Sequence, residues 1–253
     1  MKALTSDKGI SVITVYTNQE KLAQANQWLE KQTVYPNAEI VQLDNRNQRF
    51  SSCAQALNYG AEHSCGEYVV FMHQDVYLWD LQALEKYADY LSENPDAIIG
   101  VAGVPENSGT VTDIYESVDL LERGTRAQGQ IREVVSLDEC FFAMTREKWQ
   151  QLRFDEVTCD NWHSYAVEIC FHNTLSGGKN VLVPLKICHD SQGNAQTASY
   201  RVSIKKLVKK YHGTAISRIH GTCIDIPCTW PGFYWYYLKG SIKELMRRLG
   251  LLP

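Results

Sequence analysis

The feature that most constrains this chain is an alternation. Short, continuously apolar segments rich in β-branched residues take turns with segments whose apolar residues recur every three or four positions. Ile10 to Thr17 (ISVITVYT) reads as a parallel strand buried on both faces. Asn18 is placed to cap a helix in which Leu22, Ala25 and Leu29 recur at helical spacing. Ala38 to Leu43 is a second strand, ending at Asp44-Asn45, and Ala54, Leu57 and Ala61 mark a second helix. Gly66 to Met72 is a third strand, ending at His73-Gln74-Asp75. Leu81, Leu84, Ala88 and Leu91 mark a third helix closed by Asn94-Pro95, and Ile98 to Val104 is a fourth strand. This order predicts an open, mostly parallel α/β sheet with helices on both faces. A content of 44% hydrophobic residues over 253 positions supplies the core such a sheet needs and excludes a disordered chain.

Beyond Val104 the pattern loosens. Pro105 to Gln130 is polar and Gly-dotted, which predicts a long loop beside a site. Glu133 to Met144 reads as a strand, and Thr145 as the cap of a short helix through Trp149. His163 to Leu175 reads as a helix stopped by Gly177-Gly178, and Val181 to Cys188 as a last strand leading into His189-Asp190-Ser191. Residues 1–199 thus form one domain and 200–253 an extension.

The extension differs in charge. From Arg201 onward ten Lys and Arg residues face two acids, Asp225 and Glu244, whereas the chain as a whole carries −4. Ile204, Leu207, Val208 and Tyr211 form one helical stripe; Ile242, Leu245, Met246 and Leu249 form another, with the aromatic run Trp230 to Tyr237 between them. Two readings stand: the stripes pack on the domain or on a sister subunit, or they lie on an anionic membrane surface. Nucleic-acid binding is not expected, because the rest of the chain is acidic. No run approaches the roughly 18 apolar residues that span a bilayer. The first eight residues lack the apolar region of a signal peptide. The expectation is a cytoplasmic protein, peripheral to the inner face of a membrane at most. Eight cysteines without a CxxC pair read as reduced thiols.

In open α/β sheets, ligands bind beyond the carboxyl ends of the strands. Thr17, Asp44, His73-Gln74-Asp75 and His189 all fall at such ends. No Gly-rich loop follows the first strand, so neither a dinucleotide fingerprint nor a P-loop is present. A divalent cation on Asp75 and His189 is the natural substitute, because it neutralises a diphosphate directly.

ISVITVYTN, QLDN and GEYVVFMHQD together resemble the nucleotide-binding half of a family 2 glycosyltransferase with the GT-A fold. The block Asp138 to Trp149, then Arg153-Phe154-Asp155-Glu156, His163-Ser164-Tyr165 with Glu168, and VLVPLKICHDS continue the resemblance over residues 9–193. The set looks most like a small bacterial branch that includes streptomycin-biosynthesis homologues. The resemblance implies a Rossmann-like central sheet and an inverting transfer of sugar from a nucleotide-diphosphate sugar to a glycan or lipid-linked acceptor. By that resemblance Asp44 contacts the base or ribose. His73-Gln74-Asp75 takes the place of the Asp-x-Asp motif, with Asp75 and His189 holding Mn²⁺ or Mg²⁺. Asp138 meets the acceptor and Glu168 is the general base, with Asp160 and Glu139 in reserve. Thr17, Asp44, His73, Gln74 and Glu139 are the remaining substrate-binding candidates. His73 stands where the family has an Asp, Glu139 where a Gly is common, and Val167-Glu168 where an acidic pair is usual. A nucleotide-sugar-binding protein without transferase activity is the rival reading. A nucleotidyltransferase needs a Gly-rich, Arg-containing loop, and Tyr16 to Glu20 supplies none.

The bland readings are equally specific. Asp44 and Asn45 suit a turn, Asp75 an N-cap before a helix near Trp79, and Glu168 a surface acid. Glu20 and Lys21 read as a solvated face, and Trp28, Trp79 and Trp149 as packing groups.

Overall fold

A computed structural model describes residues 9–116, 121–122, 124–191 and 198–248. Strand β1 (Ile10–Tyr16), helix α1 (Gln19–Leu29), β2 (Ala38–Asp44), α2 (Cys53–Glu62) and β3 (Tyr68–Met72) follow the expected alternation. Next come β4 (Val76–Leu78), α3 (Ala83–Glu93), β5 (Ala97–Gly100) and β6 (Ala102–Val104). The predicted loop carries four two-residue strands: β7 (Val111–Thr112), β8 (Tyr115–Glu116), β9 (Leu121–Glu122) and β10 (Thr125–Arg126). Then β11 (Arg132–Glu133), β12 (Ser136–Leu137), β13 (Phe141–Thr145), α4 (Arg146–Leu152), α5 (Tyr165–Leu175), β14 (Lys179–Leu182) and β15 (Ile187–His189) complete the domain. The extension holds α6 (Ala198–Tyr211), the hairpin β16 (Arg218–Gly221) and β17 (Ile224–Pro227), and α7 (Trp230–Arg248).

The main sheet has seven strands in the order β11-β14-β5-β13-β3-β1-β2. Five of them, β1, β2, β3, β5 and β14, run one way, because β13 pairs antiparallel with both β3 and β5. Only β11 and β13 oppose them. The central strand β3 is buried at every residue, as its apolar run requires. Leu29 of α1 and Tyr87 of α3 pack with Val12 and Val70 on one face. Leu57 of α2, Trp149 of α4 and Ile169 of α5 pack with Ile13 and Phe71 on the other. Helices therefore cover both faces.

Three expected strands break, each for a local reason. Ile98 to Val104 divides after Gly100, where β5 stays in the main sheet and β6 joins the sheet of β7, β10 and β12. Space for the divide comes from Gly100, since a Cβ there would meet Leu137 at 2.9 Å. Glu133 to Met144 becomes β11, β12 and β13, interrupted where the Asp138 side chain takes the N–H of Cys140. Val181 to Cys188 becomes β14 and β15 around Pro184, which has no N–H for a ladder. After Asp75 the chain enters strand β4, so Asp75 caps no helix.

The extension divides as well. The stripe Ile204, Leu207, Val208 and Tyr211 of α6 is buried against Val167 and Phe171 of α5 and the hairpin residues Ile219 and Ile226. That stripe packs on the domain and is closed to a membrane. Phe233 anchors α7 in the same cluster, while Trp235 is 65% and Leu238 53% exposed on its outer side, with Tyr234 and Ile242 beside them. The side chains of Leu245, Lys243, Arg247 and Arg248, and all of Leu249 and residues 1–8, lie outside the described residues. No helix among the described residues is long and apolar enough to cross a membrane. All eight cysteines are free thiols.

Candidate functional site

The carboxyl ends of β1, β2 and β3 open onto a cavity of about 650 Å³. Its floor is Cys53, Leu57, Phe71 and Met72; its walls carry Thr17, Asn45, Arg46, His73, Gln74, Asp75, Glu139, Trp162 and Tyr165. The amino end of α1 points here, yet it is closed. Gln74 Oε1 accepts from the N–H groups of Thr17 (2.9 Å) and Asn18 (2.8 Å). Asn18 Oδ1 in turn accepts from the N–H groups of Glu20 (3.0 Å) and Lys21 (3.1 Å), the expected N-cap. These side chains occupy the donors that a phosphate uses in a Gly-rich loop. Gln74 is thus a brace between β1 and β3 as well as a cavity wall.

Pairing of β4 with β15 joins the two sequence-distant candidates. His189 stands opposite Val76 in the antiparallel register, and the N–H of Asp190 donates to the carbonyl of Asp75 at 2.9 Å. His73, Asp75 and His189 can each offer one ligand atom, and these atoms lie within 4.8 Å of one another. Asp75 Oδ1 is 3.5 Å from His189 Nε2, and the two imidazole rings are 5.6 Å apart. Burial, reinforced by the nearby His189 charge, lowers the His73 pKa to about 4. Burial would raise the pKa of Asp75, but the hydrogen bond and charge of His189, with His73 and Lys21, outweigh it and hold Asp75 at about 2. With His73 held neutral and Asp75 held ionised, the trio offers two imidazole nitrogens and a carboxylate as donors. That donor set fits a divalent cation. His73 Nε2 shares a hydrogen with Tyr165 Oη at 2.7 Å, which fixes the ring.

The acids sort themselves by partner. Asp138 bridges elements: Oδ1 accepts from the Cys140 N–H at 3.0 Å, and Oδ2 from Thr222 Oγ1 at 2.8 Å. Burial pushes its pKa up, but the charge of His189 and these hydrogen bonds hold it below the usual carboxylate range. Glu139 lines the cavity, and its Oε1 has no hydrogen-bond partner among the described residues. Burial and the adjacent Asp138 charge push its pKa up to about 8, against the N–H groups of Ser164, Tyr165 and Ala166 that favour the ionised form. Ser164 adopts a left-handed backbone (φ 68°) and makes no side-chain cap, which leaves those N–H groups to Glu139. The Glu139 carboxylate meets the start of α5 in its place.

Glu168 sits elsewhere. It is fully buried, absent from the cavity wall, and its Oε1 accepts from Lys210 Nζ (2.5 Å) and Tyr211 Oη (2.7 Å) of α6. Lys210 also pairs with Asp155 at 2.7 Å. Asp160, the other reserve base, pairs with Lys206. Asp44 is gripped by Arg46, whose Nε and Nη2 reach its carboxylate at 3.0 and 2.6 Å. That grip lowers the Asp44 pKa to about 2, and Arg46, not Asp44, stands in the cavity wall.

Sequence reasoning missed Lys21, Arg46, Trp162 and Tyr165 as site residues. Tyr165 belonged to a quoted motif without a role. Lys21 looked like a solvated residue, and only the fold brings its Nζ to 3.2 Å from Asp75, 54 positions away in the chain.

A search of solved structures finds GalNAc-T7 with UDP, GalNAc and Mn²⁺ at a TM-score of 0.58 and 15% identity. The match covers 79% of this chain, which spans only 48% of that one, so it speaks to the GT-A fold. Among curated proteins, "ATP synthase subunits region ORF 6" of Fuscovulum blasticum is 26% identical over 219 residues, 79% of this chain and 82% of that one. The pattern described as "Glycosyltransferase like family" matches residues 11–211, from β1 to the last residue of α6. Since that span takes in the whole sheet, the cavity wall and the cation trio, the chain belongs to the glycosyltransferase-like family.

Proposed function

We propose that the protein is a metal-dependent, inverting glycosyltransferase that moves a sugar from a nucleotide-diphosphate donor to a glycan or lipid-linked acceptor. The observation that carries this reading is the convergence of His73, Asp75 and His189, the first two of them in the wall of a cavity at the strand ends. Bound there, a divalent cation supplies charge neutralisation for a diphosphate leaving group. Asn45 and Arg46 form the nucleoside side of the cavity, with Asp44 acting through the guanidinium it holds. Tyr165 keeps the His73 ring in place.

An acceptor hydroxyl is a weak nucleophile until a base takes its proton. Glu139 takes over the role that the resemblance gave to Glu168. Its free Oε1 belongs to a cavity-lining residue, and its raised pKa makes it a stronger base than an exposed carboxylate. Asp138, held by Thr222, stands on the acceptor side. One base opposite the leaving group gives inversion.

A lipid-linked acceptor suits the outer side of α7, where exposed Tyr234, Trp235, Leu238 and Ile242 lie in a helix that also carries Lys239, Lys243, Arg247 and Arg248. Trp235→Ser with Leu238→Ser is expected to reduce sedimentation with phosphatidylglycerol vesicles; equal sedimentation removes the membrane contact.

Thermal unfolding with UDP, GDP, dTDP and their sugars, with and without Mn²⁺, tests the main reading. The expected result is stabilisation by one nucleotide that requires Mn²⁺ and disappears in Asp75→Ala. Stabilisation unchanged in Asp75→Ala discards the trio. Donor binding with no transfer to any acceptor favours a binding protein.

A further inference from the structure

The cavity has to hold a diphosphate, yet the usual protein donors are spent. The amides at the start of α1 are occupied by Gln74 and Asn18. Arg46 is committed to Asp44 and to Gln19 Oε1 at 2.8 Å. A divalent cation on Asp75 and two imidazoles leaves a net charge of +1, less than the charge of a nucleoside diphosphate. A cationic side chain lies beside the trio. Lys21 Nζ, on the first turn of α1, is 3.2 Å from Asp75 Oδ2, 2.5 Å from the carbonyl of Asp190 and 3.5 Å from Asp190 Oδ2.

The division of Asp75 is informative. Its Oδ2 faces Lys21 and its Oδ1 faces His189, so the ammonium and a cation placed among the trio approach opposite oxygens of one carboxylate. The Lys21 side chain keeps 30% of its surface exposed, and the cap of α1 uses only its backbone N–H, so the long stem is not held by the cap. An ammonium moves at the cost of rotamer changes alone, whereas the braced amides of α1 do not move.

We propose that Lys21 is a diphosphate-binding residue parked on Asp75 and Asp190 in the free protein. It leaves Asp190 for a phosphate oxygen when the metal–nucleotide complex enters, adding a second positive charge beside the cation. Without the nucleotide the same ammonium opposes the metal, because it shares the only carboxylate of the trio. Lys21 therefore acts with opposite signs on the two ligands, a signature that a merely structural lysine does not have. The inference rests on the metal–nucleotide reading above.

The test is titration calorimetry on the full chain with Mn²⁺ alone, then with the tightest of UDP, GDP and dTDP at saturating Mn²⁺, with the matching monophosphate as control. Lys21→Met is expected to bind Mn²⁺ several-fold more tightly and the diphosphate about tenfold more weakly, with the monophosphate changed far less. Lys21→Arg is expected to restore most of the diphosphate affinity. Unchanged diphosphate affinity in Lys21→Met overturns the proposal. So does a parallel loss of Mn²⁺ and diphosphate, which makes Lys21 a support for Asp75. If the wild-type chain binds neither ligand, the metal–nucleotide reading falls first and this inference with it.

Discussion

Two buried carboxylates lie at helix α5, Glu139 from the β12–β13 connection and Glu168 from the helix itself, and they live differently. At the amino end of α5 Glu139 faces a cavity, has no cation partner among the described residues and sits beside a second acid, Asp138. One turn into the helix, Glu168 faces α6, where an ammonium and a phenol share its Oε1. Glu168 keeps Oε2 unpartnered as well, so an orphan oxygen alone does not separate them. Compensation of charge does. Lys210, itself tied to Asp155, makes Glu168 part of a lock that fastens α6 to the domain. Glu139 is held at odds with its surroundings, which fits the role of base proposed for it.

The widest separation is expected in turnover. Glu139→Gln should lower kcat by about 10²–10⁴-fold with nucleotide binding retained. Glu168→Gln should leave kcat within a few-fold; the reverse pattern in folded variants would exchange the two roles. The second test is stability. Lys210→Met strands the Glu168 charge, and since Lys210 is a third exposed the cost should be about 2–3 kcal/mol in urea unfolding, below the range for a fully buried pair. A loss under about 0.5 kcal/mol would mean that the lock is ornamental. Tyr211→Phe, which removes one donor from the same oxygen, should cost about 1 kcal/mol.

The pH dependences sharpen the contrast with smaller effects. The folded pKa of Glu139 is raised from 4.5 to about 8, so its protonated form is the favoured one in the fold. Its favourable contribution is complete below the unfolded value and is lost as pH rises from about 4.5 through 8. Glu139→Gln should therefore gain stability relative to wild type between pH 5 and pH 9, while the wild-type transfer rate climbs over the upper part of that window. Asp155 is the mirror case. Burial opposes its charge, but Lys210 and Thr158 outweigh burial and lower its pKa. Its contribution is present above the unfolded value near 3.8 and is lost as pH falls below it, so Asp155→Asn should matter at pH 7 and fade near pH 3. A flat response at both positions would reduce the two carboxylates to one kind.

The alternation of strands and helices was legible because periodicity two and 3.6 leave different apolar spacing, and β1, α1, α2 and β3 landed within a few residues of expectation. Asp75 and His189 were legible as strand-end polar residues. Their meeting was not, because it depends on β4 pairing with β15, a three-residue ladder with no sequence signal. The side on which Glu168 lies was not legible, for a physical reason. Tyr165 to Phe171 is buried without a break, so α5 offers no polar face to say which side an acid belongs to. The turn at Ser164 that delivers α5 to Glu139 needs a left-handed serine, and a sequence gives no sign of one.

Thr222 lies past the last residue of the family pattern, yet its hydroxyl rests on Asp138. The hairpin is therefore stitched to the acid beside the cavity while α7 hangs from its other end. Shearing off the C-terminal segment to test the proposed lipid contact would also unpin Asp138, so a loss of turnover there would not report on the contact. Surgery on this molecule has to be done one side chain at a time.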